Sequence, residues 1–199
     1  MTQSKNIPQA VLQLLRKSED SKLSGNYEDA IKYAEEALSK DPTCIEALEE
    51  IADNYLALDK IDKAQAAAKF AISLDKDSYT ALYILGFIES RESNFKEAIK
   101  LLEQANKNRP NHPEILRALG WAYFMQENTV KGKIILERAL NLAPEDITIL
   151  CDLGLCYMKD SDSNKALDLF YRAMELNPND ERVQECIQIA EQIQTIKSK

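Results

Sequence analysis

The chain of 199 residues holds only five glycines and six prolines. An all-β fold of this length would need many more turn residues, so that class is excluded. Histidine occurs once, as His112, within RPNHPEI between two prolines. A surface turn is a poor place from which to activate a serine or cysteine nucleophile, so no Ser-His-Asp or Cys-His set can be assembled. No Gly-rich phosphate loop replaces it. The stretch DSDSN, residues 160–164, starts like a calcium loop but has Lys165 where the glycine belongs and Tyr171 at the closing glutamate. Basic charge is also short: the net charge is -8. A protein that tracks a nucleic-acid backbone or an anionic membrane surface needs a basic face, so neither partner is expected. No run approaches the roughly 18 apolar residues of a membrane span, and MTQSKNIPQAV carries no apolar signal segment. The four cysteines, Cys44, Cys151, Cys156 and Cys186, match neither a paired CxxC zinc site nor a small disulfide scaffold. They read as reduced thiols of a cytoplasmic protein with no cofactor and no catalytic role.

What is present is helix-forming residue types in a strict period. Apolar residues make up 45% of the chain, enough for a continuous core. Ala30, Ala64, Ala98, Gly132 and Ala166 stand 34 residues apart, and all are small. Ala37, Ala71, Ala105, Ala139 and Ala173 follow at the same step. So do Ser18, Ala52, Gly86, Gly120 and Gly154, and a further column reads Pro42, Lys76, Pro110, Pro144 and Pro178. Large residues recur as well: Leu48, Leu82, Leu116 and Leu150, then Ile51, Leu85, Leu119 and Leu153. Small residues at fixed helical positions let two backbones approach closely, and the large ones fill the space between. The proline column stops the second helix of each unit. Each unit is therefore helix–turn–helix, and stacked units share one core.

These columns resemble the tetratricopeptide repeat (TPR) family, whose pattern is carried here by LGFIES, LGWAYF and KEAIKLLEQAN and by the closing proline. The resemblance covers about residues 11–180. It implies an all-α fold: a right-handed superhelical solenoid of five repeats, each with helices A and B, over residues 11–44, 45–78, 79–112, 113–146 and 147–180. A flexible tail over 1–7 is expected before a single domain over 8–199. Val183, Cys186, Ile187, Ala190 and Ile193 form one stripe, which predicts a capping helix over 181–197. Three departures stand out. Gly132 is expected to loosen its helix by about 1 kcal/mol. Lys76 replaces a stop proline. Lys17, Ser18 and Ser21 in core-facing positions suggest a frayed first helix.

The resemblance also implies a concave groove lined by A helices. Arg117, Trp121, Phe124 and Met125 share one stripe of the fourth A helix. The same columns hold Tyr83, Phe87 and Arg91 in repeat three, and Cys151, Leu155, Met158 and Lys159 in repeat five. The expectation is one apolar wall of Tyr83, Phe87, Trp121, Phe124, Leu155 and Met158, with Arg91 and Arg117 open to an acidic ligand residue. In repeat two, Glu46, Glu49, Glu50 and Asp53 share the groove stripe and would draw a basic segment. The carboxylate clamp of chaperone-binding members is missing, since its places hold Leu15, Glu19, Glu50, Thr80 and Ile84. The expected partner is thus a protein or peptide with basic and apolar residues. The alternative is a self-assembling homo-oligomeric scaffold that uses the groove or a second stripe, Ile189, Ile193 and Ile196, on the last helix.

Overall fold

The computed structural model describes residues 7–197. The chain divides into two compact units, one up to Glu92 and one from Ser93. The first holds α1 (Gln9–Leu23), α2 (Tyr27–Lys40), α3 (Ile45–Ala57), α4 (Ile61–Leu74) and α5 (Tyr79–Arg91). The second holds α6 (Phe95–Asn108), α7 (Pro113–Met125), α8 (Thr129–Leu142), α9 (Ile147–Lys159), α10 (Ser163–Leu176) and α11 (Glu181–Lys197). All regular structure among the described residues is helical. The tail expected over 1–7 lies outside the described residues except for Ile7, which packs beside Val11 and Leu14. Nor is any described helix long and apolar enough to cross a membrane.

The columns seen in the sequence are the contact surfaces. Ala37, Ala71, Ala105, Ala139 and Ala173 are all fully buried. Their carbonyls also accept the N–H of the residue that ends each B helix: Asp41, Asp75, Arg109, Ala143 and Asn177. One small side chain therefore lets the helices meet and also marks where the second helix stops. The missing proline at Lys76 changes nothing, because α4 ends at Leu74 in the common register. Asp75 accepts from the Asp77 N–H at 2.9 Å, an Asx turn that Asp41 also forms with Thr43.

The turn from A to B repeats as well. Gly25, Asp59, Glu127 and Ser161 have φ of 76°, 56°, 67° and 66°, and Ser93 has 63°. All five lie on one column of step 34. In repeat two, Asp59 N–H reaches the Leu56 carbonyl and Lys60 N–H reaches that of Tyr55. This is the Schellman pattern, and it recurs at Gly25–Asn26, Glu127–Asn128 and Ser161–Asp162. Only the first of these left-handed positions is glycine.

Two sequence expectations are corrected. The first A helix runs unbroken, and Ser18 sits fully buried in the small-residue column, donating to the Ala30 carbonyl at 2.9 Å. A hydroxyl thus satisfies itself where alanine or glycine stands elsewhere. Gly132 does not interrupt α8, which runs from Thr129 to Leu142. A Cβ there would lie 2.7 Å from the Gly120 carbonyl oxygen and 2.9 Å from the Phe124 nitrogen. The glycine is needed because α7 and α8 approach so closely.

Candidate partner-binding surfaces

In the first unit, α1 and α3 and the start of α5 enclose a cavity of about 340 Å³. Glu46, Glu49, Glu50 and Asp53 all line it, as the helical spacing requires. They do not form an open acidic face. The Lys22 ammonium lies 2.8 Å from Asp53 and 3.4 Å from Glu50. Burial opposes its charge, but the hydrogen bond and charge of Asp53, with Glu50, outweigh burial and raise the Lys22 pKa. Glu49 accepts from the Ser78 hydroxyl, which in turn caps α5 by accepting the Ala81 N–H. Burial pushes the Glu49 carboxyl up, against the Ser78 bond, with the charge of Glu46 adding to the rise. Glu46 remains exposed. Nothing in the residue pattern singles out Lys22 as the partner of these acids, although the 34-residue step places it in the column of Phe124 and Met158.

Tyr83 and Phe87 also stand in the first unit, half-buried, with ring centroids 6.3 Å apart. Arg91 is not left open to an acidic ligand residue, because it pairs with Asp59 at 2.7 Å.

In the second unit, α7 turns Leu116, Leu119 and Tyr123 into the core, each no more than 6% exposed. That leaves Trp121 and Phe124 half-buried on another face, with ring centroids 5.2 Å apart and planes 37° apart. The Lys159 ammonium lies 5.1 Å above the Phe124 ring. Leu155 and Met158 are half-buried against the same core, and Met125 is exposed. Arg117 is likewise not open to a ligand carboxylate, because its guanidinium donates to Asp152 at 3.1 Å and both side chains are largely buried. Burial drives the Asp152 carboxyl up to about 6, and Arg117 offsets this only in part. A second cavity, about 180 Å³, lies between α9 and the start of α11.

The tyrosines of the A helices have a different task. The Tyr123 hydroxyl donates to Glu103 on the preceding B helix, and Tyr157 donates to Glu137 at 2.6 Å. Tyr55 and Glu35 pair in the same way. Lys63, Lys131 and Lys165 stand over the rings of Tyr55, Tyr123 and Tyr157. Each latch joins an A helix to the B helix before it. The thiols carry no activation: burial pushes Cys151 and Cys156 up to about 12 and Cys44 to about 11.

A family model described as tetratricopeptide repeat matches residues 23–83 and 91–150, and a second matches 147–180. The chain belongs to the tetratricopeptide repeat family. TPR modules are in general interaction modules and not catalysts, and stacked repeats of this kind present extended binding surfaces. Among curated proteins nothing matches the sequence. Solved structures share the fold. TTC0263, a TPR protein of Thermus thermophilus, is 21% identical with a TM-score of 0.74, over 91% of this chain and 98% of that one. A chain of the APC/C hetero-tetramer Cut9–Hcn1 gives 0.83 at 19% identity, over 93% of this chain and 37% of that one. YrrB, a TPR protein with an unusual peptide-binding site, gives 0.63 at 15% identity, over 89% and 92%.

Proposed function

We propose that this TPR chain is a non-catalytic adaptor that binds a peptide or helix of a partner protein on the groove side of its A helices. The Trp121–Phe124 pair carries the reading. Its two aromatic rings meet on a half-buried face of α7 where Phe124 already packs in part against the core, and Leu155 and Met158 follow at the repeat step. Tryptophan is among the residue types that dominate binding energy at interfaces. The first unit adds Glu46 and the partly neutralised Glu49, Glu50 and Asp53, which favour basic ligand residues. Tyr83 and Phe87 supply further apolar contact. YrrB supports a peptide as the ligand class by likeness of fold. The four unbridged cysteines suit a cytoplasmic setting.

The test is a peptide-display selection on the full chain, followed by titration of the best binder against wild type and Trp121→Ala. The expected loss is about 2 kcal/mol of affinity or more, with little change in unfolding midpoint. A loss of roughly 3–5 kcal/mol in stability instead would make Trp121 a core residue and sink the reading. Exposed Ile189 and Ile196 on α11 favour a second reading, a homo-oligomeric scaffold. Light scattering showing a mass that grows with concentration would put it first.

A further inference from the structure

Of the four thiols, Cys44 and Cys156 are buried, while Cys151 and Cys186 reach the surface in part. The latter two stand on different helices, α9 and α11, and both line the 180 Å³ cavity. Their placement repeats that of Arg117 and Asp152. Cys151 follows Arg117 by one step of 34, and Cys186 follows Asp152 by the same step. Between α7 and α9 those two positions meet, since the Arg117 guanidinium reaches Asp152 at 3.1 Å. Between α9 and α11 the same positions hold thiols. These are too short to fill the space that a guanidinium fills, and the cavity lies there. The two thiols also sense each other: burial is the first cause that raises the Cys151 pKa, and the charge of Cys186 is the second.

We infer that Cys151 and Cys186 form a dithiol modification site, which a small-molecule disulfide oxidises to a bridge between α9 and α11. Cys186 is the less enclosed of the two and reacts first. Its thiolate attacks one sulfur of the reagent. The reagent's S–S bond breaks, a mixed disulfide forms on Cys186, and one reagent thiolate leaves. The Cys151 thiolate then attacks the Cys186 sulfur and expels the second reagent thiolate. The two thiol protons pass to the two expelled thiolates, so the chain loses two electrons and the reagent gains them. Burial raises both thiol pKa values, which makes each step slow and leaves the pair reduced unless the oxidant persists. A bridge needs α-carbons within about 7 Å, so closure draws α11 onto α9 and shrinks the cavity. Leu155 belongs to the cavity wall and to the groove column, so closure reaches the groove face. The site does not depend on a peptide being the ligand there.

The test treats the full reduced chain with oxidised glutathione for hours and maps the products by peptide mass spectrometry. The expected product is one bridge joining the Cys151 and Cys186 peptides, about 2 Da lighter than the reduced chain and reversed by dithiothreitol. Cys151→Ser should stop at a stable glutathione adduct on Cys186. The bridged chain should melt roughly 5 °C higher than the reduced one, because the bridge closes a loop within the native fold. A glutathione adduct that persists on Cys186 in the wild type overturns the inference. So do thiols that stay reduced after prolonged treatment, and bridges that run to Cys44 or Cys156 instead. A Cys151–Cys186 bridge that fails to raise the melting temperature overturns it as well, because the link then forms only when the helices come apart. Should Cys151→Ser not fold, the wild-type map and melt decide by themselves.

Discussion

Gly120 and Gly132 face each other across the α7–α8 contact, where a Cβ on Gly132 would meet the Gly120 carbonyl oxygen at 2.7 Å. Helix propensity alone favours Gly132→Ala by about 1 kcal/mol. The contact argues the reverse. The atoms in the way are backbone and cannot rotate aside, and overpacking of this kind costs about 1–3 kcal/mol. Gly132→Ala should therefore destabilise the protein by roughly 1 kcal/mol or more in urea unfolding. A more stable variant would mean that the two helices do not pack so closely.

The turn positions call for the opposite substitution. Glu127 holds φ of 67°, a left-handed geometry that costs an L residue roughly 1–2 kcal/mol. Glycine relieves this and gives back part of the gain as unfolded-chain entropy, so Glu127→Gly should raise stability by about 0.5–1 kcal/mol. Gly25→Ala, at φ of 76° with nothing near its Cβ, should lower stability by about 1 kcal/mol through the backbone alone. Thermal melts of both variants should move in opposite directions.

These cases show what the sequence makes legible. Ala37 and its partners at each step of 34 mark the helix contacts, because close approach restricts side-chain size and size is written in the residue type. The left-handed column is not legible. Gly, Asp, Ser, Glu and Ser share a backbone shape and no side-chain property. Gly132 misleads when judged by propensity, since its reason lies in a partner on the neighbouring helix. That Glu50 shares a cavity wall with Glu46, Glu49 and Asp53, and that Trp121 shares a helix face with Phe124, follows from helical spacing. Whether a charge there is already answered does not, as Arg117–Asp152 and Lys22–Asp53 show, because each pair joins side chains from different helices.

Asp152 makes stability depend on pH in an uncommon direction. Its folded pKa of about 6 lies above the ordinary value of 3.8 because burial disfavours the charged form. The folded state therefore holds its proton longer than the unfolded state. Its stabilising contribution is complete below about pH 4 and is lost as pH rises through 6, on the order of 2–3 kcal/mol in total. Asp152→Asn cannot titrate. The difference in urea midpoint between wild type and this variant should shift steadily in the variant's favour from pH 4 to 7. A constant difference across that range would show that Arg117 holds Asp152 ionised throughout.

Lys22 gives the last prediction, because its ammonium occupies the place that a basic ligand residue would take between Glu50 and Asp53. All three side chains are partly open to water, so the pair adds only about 0.5–1 kcal/mol to stability. Lys22→Ala should thus fold almost as well as wild type. Its effect belongs on binding: with two carboxylates released, a peptide rich in Lys and Arg should bind a few-fold tighter. Added salt should narrow the gap, since these charges are screened over roughly 10 Å at 0.1 M. Titration of one basic peptide against both proteins at two ionic strengths decides it. Tighter, salt-sensitive binding by Lys22→Ala places basic ligand residues at these carboxylates. Equal binding at both salts removes the first unit's acidic cavity from the ligand's path and leaves recognition to Trp121 and Phe124.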